Sequence, residues 1–347
     1  MKGDYQGNHD WERIARRIIH PQAIVLVIGS VDTGKSTFCR FLVEQGLARG
    51  LTVGLVDADL GQSQIGPPAT IGLKVLSQNP DWNEIEADDL YFVGWISPEG
   101  HSLRCVTGVR LMVDTAVRAG VDFVVVDTSG YVKGRGAVTL KQHKIEIIQP
   151  RHLVCIQRSG ELDEIVAGFD DIHPVKVHRL APHRASTSKT SDFRRKYRES
   201  RVNRYFSETV EACLPFERFR GQRTPYFVGR SANARELEIL SDLAETRVLY
   251  AEWGHRTLAL VTQEVLPDCV QSQLKHRLSL SNLVARPQRY FERRFVGLID
   301  ARGKTVSVAI IKAVDFEANC LTLLCKPDTA ENTKIVQFGR YKDEQVG

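Results

Sequence analysis

The run Gly29-Ser30-Val31-Asp32-Thr33-Gly34-Lys35-Ser36-Thr37 fits the pattern G-x-x-x-x-G-K-[ST]. Glycines let a backbone curl until successive N–H groups point at a phosphate, and the helix N-terminus behind adds partial positive charge. Lys35 then reaches the β- and γ-phosphates, and Ser36 offers its hydroxyl to Mg²⁺. No N-K-x-D guanine motif is found, so ATP is the expected nucleotide. Asp57-Ala58-Asp59 sets two carboxylates on one side of a strand end, because alternate residues share a face. One can hold Mg²⁺, directly or through water. The other can take a proton from an attacking hydroxyl, a role that contributes ~10²–10⁴-fold. Phosphoryl transfer needs the two as separate groups near the γ-phosphate.

Two further groups could serve an acceptor. In Thr128-Ser129-Gly130-Tyr131, Thr128 and Gly130 allow close backbone approach and Tyr131 can present a ring. Stacking a base on such a ring is worth ~1–3 kcal/mol whatever the base. Lys133 and Arg135 follow and could hold a backbone phosphate. Arg194, Arg198 and Arg201 fall at i, i+4 and i+7 of a helix and form a row. On a mobile segment such arginines stabilise transition-state charge, an effect of ~10³–10⁵ elsewhere. The same row reads equally as a basic face that binds nucleic acid without chemistry.

The elements that must position these residues follow from the pattern. AIVLVIG (23–29), LTVGLVDAD (51–59) and VDFVVVDTSG (121–130) are short apolar runs that end in glycine or acids, as buried parallel strands do. Further strands are predicted at 91–96, 152–157 and 175–180. Helices are predicted over 10–20, 35–49, 103–119, 138–148 and 191–211. Alternating strands and helices imply an α/β fold with a parallel sheet covered on both faces, and ligands at the carboxyl ends of its strands. From Arg247 on, RVLYAEW, TLALVTQ, RFVGLID, TVSVAIIKAV, CLTLLC and KIVQF imply a smaller, mostly β domain, a barrel or sandwich. The expected organisation is an N-terminal helix over 1–21, a P-loop domain over 22–214 with an arginine-rich lid near 181–211, and a mostly β domain over 215–347. Ser186, Thr187 and Ser188 suit a flexible entry to the lid.

Composition bounds the rest. The chain has 347 residues, 42% hydrophobic and 26% charged, which suits two or three soluble globular domains. It shows no apolar run long enough for a membrane span and no signal peptide, and seven cysteines in no CxxC pair, so a reduced cytoplasmic setting is expected. The net charge is +5, but Arg179–Arg204 alone holds nine basic and two acidic residues. Such a stripe favours a polyanionic partner.

GSVDTGKST, DADLGQSQIGPPATI and VDTSGYVKGRGAVTLKQHKIEIIQP together resemble the polynucleotide 5′-hydroxyl kinases, which include the RNA 5′-kinases of eukaryotic pre-mRNA cleavage and pre-rRNA processing and shorter archaeal and bacterial relatives. The resemblance covers residues 22–230 well and continues more weakly beyond. It implies that Asp59 is the base that activates a 5′-hydroxyl. Asp57 would be an accessory acid or water-mediated metal ligand, and Gln62 a contact near the reacting phosphate. It further implies that Thr128–Tyr131 clasps the terminal nucleotide and that arginines close from a lid. The family has Pro-Pro-Gly where this chain has Pro67-Pro68-Ala69. The larger eukaryotic members carry an N-terminal domain that helps hold adenine, and none is expected here. The expected function is transfer of the γ-phosphate of ATP, with Mg²⁺, to the 5′-hydroxyl of RNA or DNA. One rival is an ATP-binding assembly protein that docks partners through its β domain, and another is a kinase of a small hydroxylated metabolite.

Overall fold

The computed structural model describes residues 9–170, 174–183 and 189–342. Ser186–Ser188, the expected flexible entry to the lid, lie outside the described residues. The chain forms two compact units, residues 1–205 and 206–347.

In the first unit the order is α1 (His9–Ile18), β1 (Ala23–Gly29), α2 (Lys35–Leu47), β2 (Val53–Ala58), β3 (Thr70–Leu76), β4 (Asp89–Phe92), α3 (Ser102–Arg118), β5 (Phe123–Thr128), α4 (Arg135–Ile148), β6 (His152–Ile156), α5 (Asp163–Val166), β7 (Lys176–Leu180) and α6 (Ser191–Tyr205). The strands pair in the order β7-β6-β1-β5-β2-β3-β4. The first five are parallel. β3 and β4 run antiparallel at one side, so the sheet is mixed rather than wholly parallel. Thr70–Leu76 was not expected as a strand, although Ile71, Leu73 and Val75 alternate with Thr70, Gly72 and Lys74.

Both faces are covered, as the apolar runs require. Phe123 and Val125 point to one face, packed with Trp11 and Ile14 of α1 and Phe38, Phe41 and Leu42 of α2. Val124 and Val126 point to the other, against Val109 of α3 and Leu140 and Ile145 of α4. Full burial of such a side chain is worth about 1.5–3 kcal/mol. The same alternation sends Asp127 to the α2 face and Thr128 to the α4 face.

The lid helix ends at Tyr205, short of the expected 211, and Val210–Pro215 is a strand of the second unit. That strand (β8) is held by six register pairs with Cys320–Cys325, which places the division before residue 214. After β8 come β9 (Arg220–Gln222), β10 (Arg230–Ser231), α7 (Ala234–Ala244), β11 (Val248–Gly254), β12 (Thr257–Thr262), α8 (Asp268–Arg277), β13 (Asn282–Pro287), β14 (Arg294–Ile299), β15 (Thr305–Asp315), β16 (Cys320–Cys325) and β17 (Ile335–Lys342). Within this unit one sheet runs β8-β16-β15-β14-β17-β9 and another β10-β11-β12-β13. They share an aromatic core that includes Phe219, Tyr226, Phe227, Tyr250, Phe291 and Phe338. Leu240 of α7 and Leu274 of α8 cover the other side of the smaller sheet.

A chain of three imidazoles lies at the amino ends of the parallel strands. His20 Nδ1 is 3.1 Å from the Pro21 carbonyl oxygen, His20 Nε2 is 3.2 Å from His152 Nε2, and His152 Nδ1 is 3.1 Å from His178 Nε2. One set of neutral tautomers satisfies all three contacts. His20 donates to the carbonyl, His152 Nε2–H donates to His20, and His178 donates to His152. Burial, then the neighbouring His178, push His152 down to about 4. The unfolded value is about 6.5, so the folded state binds fewer protons between these limits, and this contribution to stability is lost as pH falls from about 6.5 to about 4. Thermal denaturation from pH 7 to 4.5 will show a smaller acid loss in His152→Asn than in the parent protein. Parallel curves for the two proteins would refute the link.

Candidate active site

The phosphate loop leaves β1 with little room. A Cβ on Gly29 would sit 2.5 Å from the Ile156 carbonyl oxygen and 2.7 Å from Thr33 Oγ1. Left-handed φ angles of 57° at Asp32 and 86° at Gly34 curl the loop into α2. The loop is also tied from within. Thr33 Oγ1 donates to the Ser30 carbonyl at 2.9 Å, and Lys35 Nζ donates to the same oxygen at 2.7 Å. Ser30 turns its hydroxyl to Glu161 at 3.3 Å. Thr37 is exposed on the first turn of α2.

Register brings the acids to the loop. Val27, Asp57 and Asp127 are aligned across β1, β2 and β5. Asp57 is buried, and its carboxylate is committed to the loop that follows. Oδ1 accepts from Asp59 N at 3.0 Å, and Oδ2 accepts from Ser63 Oγ at 3.1 Å and Gln64 N at 2.6 Å. Burial, then the Asp127 charge, raise Asp57 to about 7. The resemblance implies that Asp57 is an accessory acid or water-mediated metal ligand; in the structure its carboxylate clamps the 59–64 loop. Asp59 is half-buried, and its Oδ1 accepts from the Gly61 and Gln62 amides at 3.2 Å each, which fixes the carboxylate.

Asp127 was not singled out from the sequence as a site residue. It is 2% exposed, takes a hydrogen bond from Ser36, and lies in the field of Lys35. Burial raises its pKa, with Lys35 and Ser36 opposing. Its Oδ1 has no hydrogen-bond partner among the described residues. The signal was present in four apolar residues followed by an acid, at the carboxyl end of the strand beside β1.

The Thr128–Tyr131 segment packs directly on the phosphate loop. A Cβ on Gly130 would fall 2.7 Å from Val31 N and Cα. Thr128 Oγ1 donates to the Val27 carbonyl at 2.8 Å. Tyr131 is half-buried against the core, and Lys133 is exposed before α4. Helix α6 rests on both loops. Arg194 Nη2 pairs with Asp32 Oδ2 at 2.6 Å, the Lys189 amide donates to the same oxygen at 3.1 Å, and Tyr197 OH donates to the Ser63 carbonyl at 3.2 Å. Asp32, expected among the nucleotide contacts, directs its carboxylate to Arg194 of α6 and the Lys189 amide before it. Arg198 is half-buried. Arg201 Nε is buried with no partner among the described residues, and burial lowers its pKa in spite of the Tyr197 and Asp57 charges nearby.

A glycine-rich loop between a central strand and a helix, with acids at the ends of neighbouring strands, defines a P-loop nucleotide-binding protein. Residues 29–208 match the model of the mRNA cleavage and polyadenylation factor CLP1 P-loop family, and the chain belongs to that family. It is 28% identical to a polyribonucleotide 5′-hydroxyl-kinase of Pyrococcus furiosus, over 99% of this chain and 94% of that protein. It is 31% identical to one of Thermococcus kodakarensis, over 93% of this chain and 89% of the relative. A solved structure of wild-type Clp1p in complex with Pcf11p shares the fold at a TM-score of 0.60. It is 12% identical and covers 96% of this chain and 77% of that one.

In the turn Pro67-Pro68-Ala69, Ala69 takes a left-handed φ of 67°. That conformation costs an L-residue roughly 1–2 kcal/mol. Ala69→Gly will therefore raise stability by about 0.5–1 kcal/mol, after the entropy glycine adds to the unfolded chain. Gly130→Ala will cost about 1–3 kcal/mol, because the loop backbone must move. Urea denaturation of the two variants checks both signs.

Proposed function

We propose that the chain is an ATP-dependent polynucleotide 5′-hydroxyl kinase. The observation that carries this reading is the convergence of a half-buried, amide-fixed Asp59 with the Lys35–Ser36–Asp127 cluster at adjacent strand ends, beside the Thr128–Tyr131 segment. Relatives named polyribonucleotide 5′-hydroxyl-kinases match nearly the whole chain, which supports the same reading.

In this reading loop amides and Lys35 bind the triphosphate, and Lys35 gives up the Ser30 carbonyl to do so. The residues present suit Mg²⁺. Asp127 Oδ1 is a buried carboxylate oxygen without a partner among the described residues, and it stands beside the Ser36 hydroxyl. Ser36 and Asp127 would hold the ion, which when bound neutralises charge on the phosphates. Asp59 accepts the proton of the acceptor 5′-hydroxyl, and Gln62 lies beside the transferring phosphate. Tyr131 carries the terminal base and Lys133 a backbone phosphate at the start of α4. Arg194, Arg198 and Arg201 act from the lid. Arg194 Nε and Arg201 Nε are both buried donors without a partner among the described residues, and phosphate oxygens would satisfy them.

The test is transfer from γ-labelled ATP to 5′-hydroxyl RNA and DNA oligonucleotides. Lys35→Ala and Asp59→Asn should each lower transfer by at least ~10²-fold, with ATP binding retained in Asp59→Asn. Asp127→Asn should fall similarly, while Asp57→Asn should act mainly through lower stability. Tight, Lys35-dependent ATP binding with no transfer to any oligonucleotide would instead leave an ATP-binding assembly protein. Strand binding will weaken as salt rises, because phosphate contacts release counterions.

A further inference from the structure

Lys141 has no place in the chemistry above, yet it is a fully buried amine beside it. Its Nζ donates at 2.7 Å to Thr128 Oγ1 and at 2.7 Å to the Ser129 carbonyl. Thr128 Oγ1 in turn donates a hydrogen bond to the Val27 carbonyl at 2.8 Å. The three groups form a relay from α4 through the end of β5 to β1, the strand that runs into the phosphate loop. Because Thr128 faces α4 while Asp127 faces α2, the amine lies behind the sheet end rather than in the nucleotide site.

Such a lysine is expensive. Burial disfavours its charge, and the nearby Lys144 and Lys35 add to that, against Asp59 and Asp127. Lys144, one turn further along α4, is buried as well. A methionine or leucine would fill the same space without removing a charge from water, and replacing buried charges by well-packed apolar groups is often neutral or stabilising. What an apolar residue would not do is hold the peptide of residues 128–130. That peptide has no slack, since Gly130 abuts Val31 of the phosphate loop. A displacement there moves the Thr128–Tyr131 segment on which the acceptor is seated, and an error near 1 Å can cost ~10²-fold in rate.

We propose that Lys141 is a positioning residue for the acceptor. It fixes the Thr128–Tyr131 clasp against the phosphate loop and touches neither substrate. This deepens the kinase reading and, for its kinetic test, rests on it. In Lys141→Met the KM for a 5′-hydroxyl RNA oligonucleotide should rise at least about tenfold, while the KM for ATP changes less than about twofold. Lys141→Gln keeps a shorter donor and should recover part of the loss, a rescue that a merely space-filling lysine would not show. Hydrogen exchange gives an independent readout. Amides of residues 128–134 should exchange faster in Lys141→Met, and those of α1 should not. Should the methionine variant fail to fold, Lys141→Gln and Thr128→Val carry the same measurements. Equal rises in both KM values, or an unchanged acceptor KM, overturn the proposal. So does unchanged exchange at 128–134. If the parent protein transfers phosphate to no oligonucleotide, it is the kinase reading that fails, and the exchange comparison still decides on Lys141.

Discussion

Three parallel strand ends meet in this protein with no space for a side chain between them. Gly29 lies against the Ile156 carbonyl, and Gly130 lies against the backbone of Val31. Strands of a parallel sheet stand ~4.8 Å apart, so bare backbone at these two places is what lets a loop cross the sheet's end and still touch its neighbours. The curl of the loop, the alignment of Asp57 and Asp127 with it, and the seat of the Thr128–Tyr131 clasp all follow from that contact.

The second organising fact is the density of buried charge around the contact. Asp57, Asp127, Lys35, Lys141 and Lys144 are all buried. Each would be costly alone. Their opposite signs offset part of the penalty, and hydrogen bonds to loop backbone and hydroxyls offset more. A fold selected for stability alone would not gather them. Asp57 and Asp127 are shifted up and Lys141 and Lys144 down, as desolvation requires.

The phosphate loop, the strands entering it and the apolar strands of the second unit were legible because each is a local pattern of short period. Residues 70–76 were passed over although Ile71, Leu73 and Val75 alternate there, because a short alternation containing Gly72 and Lys74 is a weak signal until β2 and β4 pair with it. The helix predicted to run to 211 stops at Tyr205 because the next segment gains more as a strand beside Cys320–Cys325. The helices Ala234–Ala244 and Asp268–Arg277 were overlooked beside stronger strand signals, although Asn233 and Glu236 form a capping box. At the site, candidate residues could be named from the sequence but their partners could not. Asp57 and Asp59 differ by two positions in the chain, yet one is buried with both carboxylate oxygens bonded to the loop and the other is half-buried. Only the fold shows which. Lys141 was invisible for a related reason. A lysine in a helix is solvated in most proteins, and nothing local marks this one as buried.

The Gly130–Val31 contact also bears on how the protein can be redesigned. The donor side and the acceptor side share one piece of backbone, so they cannot be tuned separately by substitutions at their common boundary. A change there that admits a bulkier triphosphate would also disturb the acceptor's seat. Altered nucleotide preference will have to be sought away from the strand ends, where the two surfaces diverge.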